Sequence, residues 1–178
     1  MKRVKANKAH CCPVCHATIT LKTKEYLQMD KSTIEFLVRA KKATFAGNGV
    51  KLTPSRPNSK DLQYVEGTLK YIDTYLGSIN FAGEEALWKN DVPLWTMNYI
   101  GRPLSENVPV ESLWKFLSEA LLLVLEEYPY RGPLQYDNGD FLYKCSVAGD
   151  FHWFSGMEEI FYKNEKVYEL VFHGGDVK

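Results

Sequence analysis

FAGEEALWKNDVPLWTMNYI, residues 81–100, reads as two strands and the turn that joins them. Phe81 to Trp88 and Leu94 to Ile100 are rich in aromatic residues and alternate in character, which suits a pleated sheet better than a helix of period 3.6. Between them, Lys89-Asn90-Asp91 supplies turn chemistry. Pro93 has no backbone donor and belongs at a strand start or an edge.

Upstream, Tyr64-Val65-Glu66 and Leu69 to Leu76 form another strand pair about a turn at Gly67. Residues 53–61, with Pro54, Pro57 and Asn58, read as a loop. A helix precedes it. Ser32-Thr33-Ile34-Glu35 is a capping box, and Ile34, Leu37, Val38 and Lys41 follow helical spacing. Downstream, Pro109 opens a second helix, since its fixed φ suits the first turn. Leu113, Leu117, Ala120, Leu121 and Val124 mark its apolar face. Leu122, Leu123 and Leu125 make its last turns apolar nearly all round, which predicts a deeply buried end stopped by Pro129. Strands resume at Leu134 to Tyr136, Phe141 to Val147, Phe151 to Tyr162 and Val167 to His173.

The two halves can be laid over each other. Tyr64-Val65-Glu66-Gly67 meets Tyr136-Asp137-Asn138-Gly139, Tyr71 meets Tyr143, and Gly83 meets Gly156. Glu84-Glu85 meets Glu158-Glu159, and Trp95, Met97 and Tyr99 meet Tyr168, Leu170 and Phe172. The expected fold is α+β: a large antiparallel sheet from two pseudo-repeated helix-plus-strands units, about 32–101 and 109–174, with the helices packed on it. Residues 1–30 form a basic, cysteine-bearing extension in front of a domain at 31–178.

The chain has 178 residues, with 22 basic and 22 acidic side chains, so its net charge is zero. That balance argues against direct nucleic-acid binding, which needs clustered Lys and Arg. No apolar run approaches the roughly 20 residues of a membrane span, and the basic amino terminus lacks the apolar stretch of a secretory signal. Four cysteines without an export signal imply a cytoplasmic, reduced protein.

Cys12-Pro13-Val14-Cys15 can present two thiolates to one tetrahedral zinc ion, with His10 and His16 as further ligands. A second Cys-x-x-Cys is absent, so zinc, a metal-free thiol tail and a redox dithiol stand as alternatives. Ligands from a second copy of the chain would imply a homodimer. Adjacent carboxylates, Glu84-Glu85 and Glu158-Glu159, must point to opposite faces of a strand. One of each pair then faces the core side and needs a partner, unless the pairs serve as charged strand edges.

Tyr71, Asp73 and Tyr75 share one strand face, as do Trp95 and Tyr99, with Tyr143 as a counterpart in the second half. An aromatic cavity holding one carboxylate, Asp73, suits a flat or cationic ligand. Arg102 and Arg131 are the candidate charge partners of that carboxylate. Packing within the core is the competing role for these residues.

From about Ile34 to Lys178 the sequence resembles an uncharacterised bacterial domain family of unknown function. Its members occur alone or behind an Xre-type helix-turn-helix. The resemblance rests on strings such as Phe36-Leu37-Val38-Arg39-Ala40-Lys41-Lys42-Ala43-Thr44, Tyr71-Ile72-Asp73-Thr74-Tyr75, Phe81-Ala82-Gly83-Glu84-Glu85-Ala86-Leu87-Trp88, Glu127-Tyr128-Pro129-Tyr130-Arg131-Gly132-Pro133 and Phe172-His173-Gly174-Gly175. It implies a sensing or regulatory role. Residues 1–30 depart from the family arrangement, being too short for a helix-turn-helix. The leading expectation is a non-catalytic small-molecule-binding or regulatory domain. The alternatives are an enzyme using Asp73, Glu84 or Glu85 as a base, and an interaction module tethered through a zinc knuckle.

Overall fold

A computed structural model describes residues 29–45 and 49–177. In chain order the elements are α1 (Lys31–Phe45), β1 (Val50–Lys51), β2 (Lys60–Glu66), β3 (Leu69–Gly77), β4 (Phe81–Lys89) and β5 (Val92–Pro103). There follow α2 (Val110–Leu121), β6 (Gln135–Asn138), β7 (Phe141–Asp150), β8 (Trp153–Tyr162) and β9 (Glu165–Asp176). These strands join one antiparallel sheet of nine, in the order β1-β2-β3-β4-β5-β9-β8-β7-β6.

The α+β class expected from sequence is overturned. Among the described residues strand accounts for 53% and helix for 18%, so this part of the protein is β-rich, with two helices. Two causes are visible. β5 and β9 each run to 12 residues, and the second helix ends early. α2 stops at Leu121, where tight turns take over: Leu123 N–H donates to the Ala120 carbonyl and Val124 N–H to that of Leu121. Val124 dips into the core, whereas Leu122, Leu123 and Leu125 are exposed, contrary to the buried helix end expected of them.

The first helix begins one residue before the expected capping box. Asp30 caps it by accepting from the Thr33 N–H at 2.8 Å and the Thr33 hydroxyl at 2.6 Å. Hydrogen bonds from Thr33 and Ser32 pull its carboxyl down to about 2. The tight hairpins place Asn90 and Asp91, and again Lys163 and Asn164, in left-handed backbone, the two-residue loop that matches strand twist.

The core lies between the helices and one sheet face, built from Phe36, Leu37, Leu113, Leu117, Trp95, Met97, Tyr168 and Leu170 among others. On strands of that face, alternate residues point inward. Glu85 sits in register between Asp73 on β3 and Met97 on β5. Glu158 sits likewise between Cys145 on β7 and Leu170 on β9. The observed register therefore sets Glu85, not Glu84, against Glu158. Where β5 meets β9, Tyr99 pairs with Phe172.

Candidate functional site

Helical spacing puts Lys41 on the apolar face of α1 with Phe36, Leu37 and Ala40, and the structure buries it completely. A buried ammonium needs partners. Lys41 Nζ donates to Glu85 Oε2 and, at 2.8 Å, to the Tyr130 carbonyl. Burial pushes the Lys41 ammonium down, against the pull of Glu85.

Arg131 is the second buried cation. Its Nε and Nη2 grip the two Glu158 oxygens at 3.2 and 3.4 Å, while Nη1 reaches Glu85 Oε1 at 3.4 Å. Burial opposes this charge, but Glu158, Tyr168 and Glu85 together hold its pKa well above the ordinary value. Glu158 also accepts from the Tyr143 hydroxyl at 2.7 Å and the Tyr168 hydroxyl at 3.0 Å. The Tyr143 oxygen in turn accepts from Gly132 N–H at 2.9 Å. Two cations and two carboxylates are thus locked together across both halves.

Asp73 is a third buried carboxylate, on the pocket side of this group. Its Oδ1 accepts from the Tyr99 hydroxyl at 2.6 Å, and among the described residues no donor reaches Oδ2. Burial and then the nearby Glu85 raise its pKa to about 7, against Tyr99, Arg131 and Lys41. Tyr99 can reach it because Gly83 lies between them on β4; a Cβ there would stand 2.5 Å from the Tyr99 hydroxyl oxygen.

A cavity of about 280 Å³ opens beside Asp73. α1 contributes Phe45, α2 contributes Trp114, Leu117, Ser118 and Leu121, and the sheet contributes Tyr75, Phe81 and Tyr99, with Arg131 at the base. Trp114 is braced edge-on by Phe81 and Tyr168 at 5.8 Å from each. The Arg131 guanidinium lies 5.2 Å from the Tyr99 ring centre, and Lys60 lies 5.2 Å from that of Tyr75.

Of the residues singled out from sequence, Asp73, Tyr75, Tyr99 and Arg131 meet at this cavity. Tyr71, Trp95 and Tyr143 are wholly buried outside its wall; Trp95 stacks on Phe151 at 5.1 Å. Arg102 is exposed and pairs with Glu169, whose carboxylate it reaches at 2.8 Å, so it is no partner of Asp73. Glu84 faces solvent and Glu85 is consumed by its two cations. Cys12, Cys15, His10 and His16 lie outside the described residues. Among the described residues no cluster of His, Cys, Asp and Glu is arranged to hold a metal, and no helix is long and apolar enough to cross a membrane.

Sequence reasoning missed the pocket roles of Phe45, Lys60 and Trp114. It also passed over Lys41, although a lysine on an apolar helical stripe is itself a sign of a buried ion pair.

Residues 73–177 match a family described as a domain of unknown function, DUF5680. The chain belongs to this family. The DUF5680 match opens at Asp73 and takes in Tyr99, Trp114, Arg131 and Glu158, while α1 with Lys41 and Phe45 precedes it. No curated protein and no solved structure matches the chain.

Proposed function

We propose that the chain is a non-catalytic small-molecule-binding module, with its ligand seated between the two helices and the sheet and Asp73 as polar anchor. The observation that carries this reading is a buried carboxylate with one oxygen unclaimed among the described residues, at the wall of an aromatic cavity. That oxygen is open to the cavity, so a ligand's donor or charge can meet it directly. A largely preformed apolar cavity with a few convergent polar groups is the usual form of a ligand site. In this proposal the occupied pocket acts as a regulatory signal, in keeping with the resemblance to domains that follow an Xre-type helix-turn-helix. The setting would be the cytoplasm, where the buried thiol of Cys145 stays reduced.

An enzyme is the second reading, favoured by the place of Asp73 at the cavity wall, where burial and Glu85 raise its carboxyl to about 7 and leave it able to take a proton at neutral pH. The zinc proposal is independent of the pocket and rests on Cys12 and Cys15. Metal analysis of reduced protein tests it, with loss of bound zinc expected in a Cys12→Ser, Cys15→Ser variant.

Native mass spectrometry tests the pocket. Ser118 is exposed at its rim, so Ser118→Trp plugs the opening without cutting into the core. The wild-type chain should retain a small molecule that the plugged variant loses. Identical spectra for the two would overturn the reading.

A further inference from the structure

The four locked charges leave one group over. Lys41 is held by Glu85 and the Tyr130 carbonyl, and Arg131 by Glu158 and Glu85. Neither cation makes a hydrogen bond to Asp73, whose hydrogen-bond partner is a neutral phenol. Among the buried side chains of this group, two cations stand against three carboxylates, and the odd carboxylate sits at the cavity wall, with Lys60 as an exposed cation at the rim.

We propose that the ligand is a ring-borne organic cation, an amine, amidine or quaternary ammonium, whose positive charge rests against Oδ2 of Asp73 while its ring lies among Tyr75, Phe81 and Trp114. This inference rests on the pocket reading above and names the ligand class for it. An entering cation becomes the missing counter-charge, and aromatic faces favour it further. An anion meets Asp73 with Glu85 behind it, while Arg131 is already held by Glu158 and Glu85 and Lys60 stands exposed at the rim, so like charges at close range disfavour binding. A neutral ring leaves Asp73 protonated and gains no ionic contact. The volume, near the lower end of the usual range for ligand sites, suits a single ring with a short substituent.

The charged and titratable groups around Asp73 come from every side. β3 supplies Tyr71 and Tyr75, β4 Glu85, β5 Tyr99, α1 Lys41, and the segment after α2 Arg131, with Lys60 of β2 at the rim. Without a ligand, burial and then Glu85 raise the Asp73 carboxyl to about 7, against the pull of Tyr99, Arg131 and Lys41. A ligand whose own charge is fixed must then expel the Asp73 proton as it binds. Its affinity rises with pH up to about 7 and levels off above.

Benzamidine, benzamide and benzoate share one ring and differ in charge: cation, neutral and anion through roughly pH 5.5–8.5. Titration calorimetry on the full chain, in buffers of different ionisation enthalpy, reads affinity and proton release together. Benzamidine should bind at about pH 8 roughly tenfold or more tightly than at about pH 5.5, and release close to one proton at the lower pH. Asp73→Asn should weaken it about tenfold and flatten the pH dependence; the proton release of the wild-type chain gives the same answer should that variant not fold. If benzamide or benzoate binds as well as benzamidine, the cation inference falls and the pocket reading stands. If none of the three binds saturably, the cation inference and the pocket reading fall together. Tight benzamidine binding with no proton release and no loss in Asp73→Asn overturns the role of Asp73.

Discussion

The two halves of the sheet share a register and end as opposites. In the first, the inward triplet on β3, β4 and β5 is Asp73, Glu85 and Met97; in the second, on β7, β8 and β9, it is Cys145, Glu158 and Leu170. Both central glutamates are fully buried. Glu158 collects a bidentate arginine and two tyrosine hydroxyls, and its side of the network closes. Glu85 has two cations but stands beside another acid, and that side opens into a cavity. The same strand geometry therefore makes core or pocket according to one neighbour: a thiol that packs, or a carboxyl that wants company. We propose that the halves are copies of one unit, with the second specialised for packing and the first for binding.

Arg131 joins the halves, so its removal should have the largest effect. Arg131→Met leaves Glu158 and part of Glu85 unpaired, and breaking a buried ion pair costs about 3–5 kcal/mol. Lys41→Met should cost less, because Glu85 keeps Arg131. Urea denaturation of both variants checks the order; a greater loss from Lys41→Met would show the first half to be the stronger node.

A methyl group makes the next comparison. Tyr99 lies over Gly83 and Phe172 over Gly156, where an added Cβ would come within 2.5 Å of the Tyr99 hydroxyl oxygen and 2.2 Å of the Phe172 ring. Gly156→Ala must move a ring in the closed core and should cost about 1–3 kcal/mol. Gly83→Ala should cost less, since Tyr99 can yield toward the cavity, while benzamidine binding suffers more. Thermal melts and titrations of the pair read both quantities.

The last comparison is a slope with pH. The folded-state pKa of Asp73 lies above its unfolded value, so its contribution is fully present below about 4 and is lost as pH rises through about 7. Asp73→Cys, which gives the first half the residue of the second, should flatten stability between about pH 5 and 8 in the ligand-free chain. Melting temperatures across that range would show it; an unchanged slope would place the titrating group elsewhere.

Much of this was legible beforehand for simple reasons. Turn chemistry at Asn90-Asp91 and alternation along β3 to β5 are local signals, and the antiparallel strands follow from them. The balance of strand to helix was not, because Leu122 to Leu125 carry helical apolarity whose fate depends on where the sheet lies. Asp73 and Tyr99 stood out as polar groups on apolar faces. Their contact, reached across Gly83, depends on strand register, which spacing along one strand does not contain. Lys41 and Arg131 come from distant segments, and nothing in either stretch names Glu85 or Glu158 as its partner.

The central position of β9 has a consequence for how the chain is made. The last strand in chain order lies in the middle of the sheet, beside β5. During synthesis β2 to β5 can zip together as successive hairpins, but β5 then waits with a bare edge until residues 165–176 emerge. Exposed edges invite pairing with other chains. The nascent first half is thus the stage at which this protein is most vulnerable to aggregation, and loss of β9 would leave two unjoined sheets rather than a shortened one.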